Sequence, residues 1–323
     1  PPNDAGPAYS AVAETVIAGL QEQVANHVAA AHGLVPGGAV AVIALGKLGG
    51  REMTATSDLD LVFIYTHDPS ATVSTGGDKP LPVSSYFGRY AQRFIAALTA
   101  LTAEGRLYEV DMRLRPSGNQ GPVAVSLDRF IAYHRENAWT WEKMALTRAR
   151  VVAGPDSMRT RTSEAIASLL SLPLDPPRIR ADAVSMRQRL EAQFPARSAW
   201  DLKFAAGGLV DIEFCIQVLQ LCHSDRPSVF DQNTIGAMHK LIKAGLLDAA
   251  DHDVLTTAAL MQQELTQVLR VAIVGEFRPD AASAGLRGLL ARVGGVSGFA
   301  ELELLLHQRQ AAARAIFERV LSP

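Results

Sequence analysis

Asp58 and Asp60 are separated only by Leu59 and followed by Leu61. Alternate residues of a strand share a face, so both carboxylates point the same way. Two such groups repel each other unless a cation lies between them, and hard oxygen ligands suit Mg2+. Upstream runs Gly46-Lys47-Leu48-Gly49-Gly50-Arg51-Glu52. Glycine lets backbone N–H groups come close to phosphate oxygens, so Gly49 and Gly50 are expected to carry a triphosphate, helped by Ser57. A P-loop needs Lys and then Ser or Thr after its last glycine, whereas Gly50 precedes Arg51. A dinucleotide fingerprint spaces its glycines differently. An Asp-x-Asp by itself usually marks a solvated strand end; the glycine loop before it tips the reading towards a metal site.

A third carboxylate lies in residues 107–114, whose alternation predicts a half-buried strand. There Asp111 shares a face with Glu109, Arg113 and Arg115, opposite Val110, Met112 and Leu114. Such a face suits a place where a metal meets phosphates. A cross-strand ion pair explains it about as well if the segment is taken alone.

These residues need a scaffold. Residues 39–45 and 59–65 are apolar runs that read as buried strands. Residues 3–31 and 84–103 have helical spacing, the latter with Phe87, Tyr90, Phe94, Leu98 and Leu101 on one face. Residues 72–82 form a polar loop and 118–122 a turn. Ser126 can cap a helix running through Tyr133. From Ala138 the pattern stays helical until Gly154-Pro155. Prolines cluster at 172–177, and beyond them the pattern is helical with no convincing strand. The expected fold is α+β, with a catalytic domain over residues 1–172 and a helical domain over 173–323.

The long motifs carry a resemblance. Gly-Lys-Leu-Gly-Gly-Arg-Glu, Ser57-Asp58-Leu59-Asp60-Leu61 and Glu109-Val110-Asp111-Met112-Arg113-Leu114-Arg115-Pro116-Ser117-Gly118 resemble glutamine synthetase adenylyltransferases. So do Ala138-Trp139-Thr140-Trp141-Glu142, Leu146-Thr147-Arg148-Ala149-Arg150, and the stretch from Lys203 through Gly207-Gly208 to Asp211-Ile212-Glu213-Phe214. The resemblance covers about half the chain. It implies a polymerase-beta-type nucleotidyltransferase domain with a mixed sheet, followed by an all-helical domain. Members have two catalytic halves, one removing AMP from glutamine synthetase and one adding it. Tyr108-Glu109-Val110-Asp111 and Trp139-Thr140-Trp141 are similar to the adding half. The implied reaction is AMP transfer from ATP to a tyrosine hydroxyl of glutamine synthetase with release of pyrophosphate. Asp58, Asp60 and Asp111 would hold Mg2+, and Asp111 is the candidate general base. Gly49, Gly50, Ser57, Arg113, Arg115, Arg148 and Arg150 are the expected nucleotide contacts. Phosphorolytic removal of AMP, or a docking module for glutamine synthetase or a PII-type signal protein, are the alternatives. The start Pro1-Pro2-Asn3 reads as an excised C-terminal fragment.

Composition agrees with these expectations. The 323 residues are 48% hydrophobic and 20% charged, with a net charge of −2. No general electrostatic footprint for nucleic acid exists. No apolar run is long enough to span a membrane, and a cytoplasmic setting is expected. Cys215 and Cys222 stand too far apart on one predicted helix for a disulfide. The histidines show no ligand spacing. Trp139 and Trp141 could lie against an adenine, although packing is the commoner use of such residues. Gly207-Gly208 with Asp211 and Glu213 reads as structural packing.

Overall fold

The computed structural model describes residues 2–322. Its tertiary contacts divide into two compact units. The first is Ala8–Met53 with Ser57–Leu172; the second is Pro173–Pro323 with Pro1–Pro7 and Thr54–Thr56.

The first unit is built on a mixed sheet. A helix α1 (Pro2–His32) leads through β1 (Gly33–Leu34) into β2 (Ala39–Ala44). A short turn of helix, α2 (Gly46–Gly49), follows, and then β3 (Leu59–Thr66). β2 and β3 run antiparallel in a register from Ala39 opposite Thr66 to Ala44 opposite Leu61. Both strands are apolar at nearly every position because both faces are covered. One face (Val40, Val42, Ala44, Leu59, Leu61, Phe63 and Tyr65) packs with Ile17, Val24 and Val28 of α1 in one buried cluster. Phe87 and Phe94 of α3 (Val83–Thr99) join it: Tyr65 stacks on Phe87 at 4.2 Å, and Phe63 meets Phe94 edge-on at 5.3 Å. The other side of β3 pairs in parallel with β5 (Val110–Asp111) near its start and β6 (Ala124–Ser126) near its end. The helices α4 (Leu127–Glu136), α5 (Thr140–Leu146) and α6 (Asp156–Leu170) complete this unit with β7 (Arg150–Ala153), which adds antiparallel to β2. Ser126 caps α4 by accepting from Arg129 N.

The fold is α+β with a mixed sheet, as expected, but four segments differ from their sequence pattern. Of the strand expected over 107–114, only Val110–Asp111 is paired, because the chain turns at once: Arg115 N donates to Met112 O and Gly118 N to Arg115 O. The helix expected to run on from Ala138 ends at Leu146, and Arg150–Ala153 is a strand. Its four residues are too few for alternation to outweigh the helical pattern around them. The helix expected to reach residue 103 ends at Thr99, where Thr102 and Gly105 exchange backbone hydrogen bonds. The polar loop at 72–82 also holds β4 (Thr75–Gly76), paired with β1.

In the second unit the described elements are helical: α7 (Pro176–Gln193), α8 (Leu209–Cys222), α9 (Thr234–Lys243), α10 (Ala249–Ala272), α11 (Ala284–Val293) and α12 (Phe299–Leu321), with two single turns of 3-10 helix. α8 is buried almost all round, so it reads apolar without a stripe. Asn233, Asp248 and Ser283 cap α9, α10 and α11 through their side chains. Gly207 has φ +74, and a Cβ there would meet Gln310 O at 1.8 Å. Its amide donates to Asp211 at 2.7 Å and its carbonyl accepts from Gln262 at 3.1 Å, so the Gly207-Gly208 turn is held by packing. Cys215 and Cys222 are free thiols. No described helix is long and apolar enough to cross a membrane.

Candidate active site

The register of β3 against β5 sets Asp60 directly opposite Asp111. Opposed residues of paired strands face the same side, so these two carboxylates are neighbours on one face. Asp58 is exposed just before β3 and falls on that face by alternation. The strand start is fixed from both sides: Leu59 N donates to Glu109 O and Leu45 N to Asp60 O, each at 2.9 Å. Gly46 has φ +51, and a Cβ there would lie 2.0 Å from Asp60 Oδ2. The first glycine of the loop is therefore what allows the Asp60 carboxylate to lie against it, a role the spacing did not reveal.

Asp111 is held by Arg113. Nε donates to Oδ1 at 3.1 Å and to Oδ2 at 2.8 Å, Nη2 donates to Oδ2, and the Arg113 backbone N–H reaches Oδ1 at 2.8 Å. Burial by itself would push the Asp111 carboxyl up, but these bonds and the charges of Arg113 and Arg115 together hold it below the usual carboxylate range. A carboxylate so held is a weaker base than the sequence suggested. Asp58 and Asp60 also act on the Arg113 guanidinium, whose pKa is raised chiefly by its bond to Asp111. Among the described residues no three His, Cys, Asp or Glu side chains converge as ligands. Yet Asp60 and Asp111 are adjacent hard donors on one face, and a guanidinium already lies where positive charge is wanted. Hard carboxylate donors of this kind suit Mg2+.

The glycine loop departs from expectation. The amides expected to cradle phosphate are used inside the fold: Gly49 N donates to Leu45 O at 2.9 Å and Gly50 N to Gly46 O at 3.1 Å. Gly49 is required by packing, since a Cβ there would meet Arg148 O at 2.0 Å. Arg148 and Arg150, expected as nucleotide contacts, are both bonded within the fold. Arg148 donates to Gly46 O at 3.0 Å and pairs with Glu52, both side chains more than nine-tenths buried. Arg150 donates to Gly49 O at 3.1 Å, Leu48 O at 2.8 Å and Glu14 at 2.6 Å. Both brace the loop under Asp60. Arg115 is buried and donates to Met112 O at 2.7 Å and Gly121 O at 3.2 Å, bracing the turn after β5. Of the four arginines, Arg113 keeps an exposed head, with 73% of its side chain accessible. Ser57 is half-buried beside Asp58.

Glu14, Glu52 and Glu142 were not predicted as parts of the site's support. Each acts through a partner distant in sequence or an unremarkable one, so no local spacing marks it. Glu142 accepts from Tyr133 Oη at 2.8 Å and from Trp139 N at 2.9 Å. The Tyr133 hydroxyl also meets Ser117, which has φ +63 in the turn after Arg115. This chain of contacts holds Trp139 with 69% exposure, so it is not a core residue; Trp141 is 36% exposed.

Comparison with known proteins places this geometry. The family model for glutamate-ammonia ligase adenylyltransferase matches residues 3–165, and that for GlnD PII-uridylyltransferase matches residues 180–274. A bifunctional glutamine synthetase adenylyltransferase/adenylyl-removing enzyme of Xanthobacter autotrophicus is 46% identical over 98% of this chain and 32% of its own length. Relatives of the same name from Rhodopseudomonas palustris and Rhizobium meliloti are each 42% identical, over 99% and 98% of this chain and 32% of their own lengths. The chain thus spans about a third of the length of the curated relatives it matches. The adenylyltransferase match takes in just over half of the chain, including Gly46, Asp58, Asp60, Asp111 and the arginines that brace them, and the chain belongs to the glutamate-ammonia ligase adenylyltransferase family.

Proposed function

We propose that the carboxylate face of β3 and β5 transfers AMP from ATP to a tyrosine hydroxyl of glutamine synthetase and releases pyrophosphate. The observation that carries this is the pairing of Asp60 with Asp111, with Asp58 on the same face, in a member of this family. Asp58, Asp60 and Asp111 would hold the Mg2+ that accompanies the triphosphate. A metal held there would supply Lewis-acid activation of the hydroxyl and charge compensation for the phosphates. Asp111, once released from Arg113, accepts the tyrosine proton. Arg113 supplies the mobile cation for the phosphates. Arg115, Arg148 and Arg150 keep the surrounding backbone in place, and Ser57 adds a hydroxyl at the strand entrance.

The relatives' names include an adenylyl-removing activity, which supports a second reading. With phosphate in place of pyrophosphate, the same face would release AMP from the modified tyrosine as ADP. We assign catalysis to residues 1–172 and presentation of the protein substrate to residues 173–323. The likeness of residues 180–274 to a PII-uridylyltransferase favours a link to PII-type signalling in the longer protein. A cytoplasmic setting is consistent with a reaction that consumes ATP. Incubation of the chain with α-labelled ATP, Mg2+ and glutamine synthetase tests the assignment. Label should appear on glutamine synthetase; label lost only from the modified enzyme in the presence of phosphate would assign removal instead.

A further inference from the structure

We propose that Arg113 is an internal counter-ion that closes Asp111 against metal until nucleotide arrives, and then moves to the phosphates. This rests on the metal reading of the carboxylate face. The geometry is specific. Arg113 meets both oxygens of Asp111 with its side chain and one of them with its own backbone amide. The Asp111 carboxylate facing Asp60 is thereby taken up by a single residue. The same guanidinium lies within the field of Asp58 and Asp60, so it offsets part of the repulsion among three carboxylates.

The pairing is also built to open. The two residues are separated only by Met112, so it closes no long loop of the fold. The Arg113 side chain is 73% exposed and that of Asp111 15%, whereas the Arg148–Glu52 pair is buried at both ends. An exposed ion pair is weak, and a divalent cation offers Asp111 twice the charge. The released guanidinium stays tethered two residues from Asp111, within reach of phosphates brought with the metal. Its planar fork suits them better than an ammonium would. Metal alone must displace Arg113 into water; metal with nucleotide gives it a new partner. Metal and nucleotide should therefore strengthen each other's binding through this side chain, by the same factor in each direction.

The test is Mn2+ binding to the whole chain, read by the paramagnetic resonance signal of free Mn2+, with and without α,β-methylene-ATP, which cannot transfer AMP. Arg113→Gln should bind Mn2+ without nucleotide about fivefold more tightly than the unaltered chain, the most that an exposed pair usually withholds. It should bind the nucleotide more weakly, and the mutual enhancement should shrink towards one. Arg113→Lys, which keeps the charge but not the fork, should fall between. Equal or weaker Mn2+ binding by Arg113→Gln, with its thermal melting unchanged, overturns the proposal. Asp60→Asn separates the two levels: if it binds Mn2+ as well as the unaltered chain, the metal reading of the face itself fails.

Discussion

Asp111 and Asp211 each meet an arginine, and the two pairs have opposite characters. Asp211 is fully buried on α8 and accepts from Arg187 of α7, from Gly207 N at 2.7 Å and from Arg314 of α12 at 3.0 Å. Arg187 is 1% exposed and also donates to Phe204 O at 2.9 Å. Arg314 continues to Glu191 and Glu318. Three helices, one of them far along the chain, are tied through one carboxylate. Asp111 meets an arginine two residues away whose head lies in solvent. The chemical pair is the same, but its surroundings differ. A buried long-range pair cannot open without exposing an uncompensated charge, so it specifies the fold. A local exposed pair costs little to open, so it can take part in a reaction.

The largest test of this contrast is Asp60→Asn. It should fold and melt normally yet lose AMP transfer to glutamine synthetase by about a thousandfold or more, because positioning and charge compensation supply most of phosphoryl-group chemistry. Near-normal transfer at saturating Mg2+ would remove the catalytic half of the comparison. Asp211→Asn should do the reverse. It takes from Arg187 its fully buried charge partner, leaving it Glu191 at 3.2 Å, and should destabilise the helical unit by about 3 kcal/mol, read in urea unfolding. A shift below about 1 kcal/mol would place this network with the exposed pairs instead.

Gly46→Ala lies between the two. Its Cβ collides with Asp60 Oδ2 and its φ is left-handed, so about 1–2 kcal/mol of stability should be lost. Displacement of Asp60 should lower AMP transfer by about a hundredfold, more than the stability loss explains. Equal kinetics to the unaltered chain would show that Asp60 need not lie against the loop. The smallest expected effect is that of Arg113→Gln on stability, within about 1 kcal/mol by thermal melting, as for exposed pairs in general. A larger loss would mean that this pair also holds the fold.

The sequence determined the α+β class and both central strands, because continuous apolar runs and helical stripes are local signals. Strand alternation also led to Asp58 and Asp60 on one face, although Asp58 lies just before the strand. The glycine loop was visible, but the packing that requires it was not: a glycine that must receive a phosphate and one that must receive a carboxylate or a carbonyl look alike in one dimension. Gly46 makes room for Asp60 and Gly49 for Arg148 O, and the second contact comes from far along the chain. The same holds for the arginines. Arg113, Arg115, Arg148 and Arg150 are equivalent as a list of cations, and only their burial and acceptors separate three braces from one exposed head. The register that brings Asp111 beside Asp60 depends on two strands meeting in parallel across an intervening helix. Local patterns fix which way a side chain faces along its own strand; which side chain it faces across the sheet is decided by how the whole unit packs.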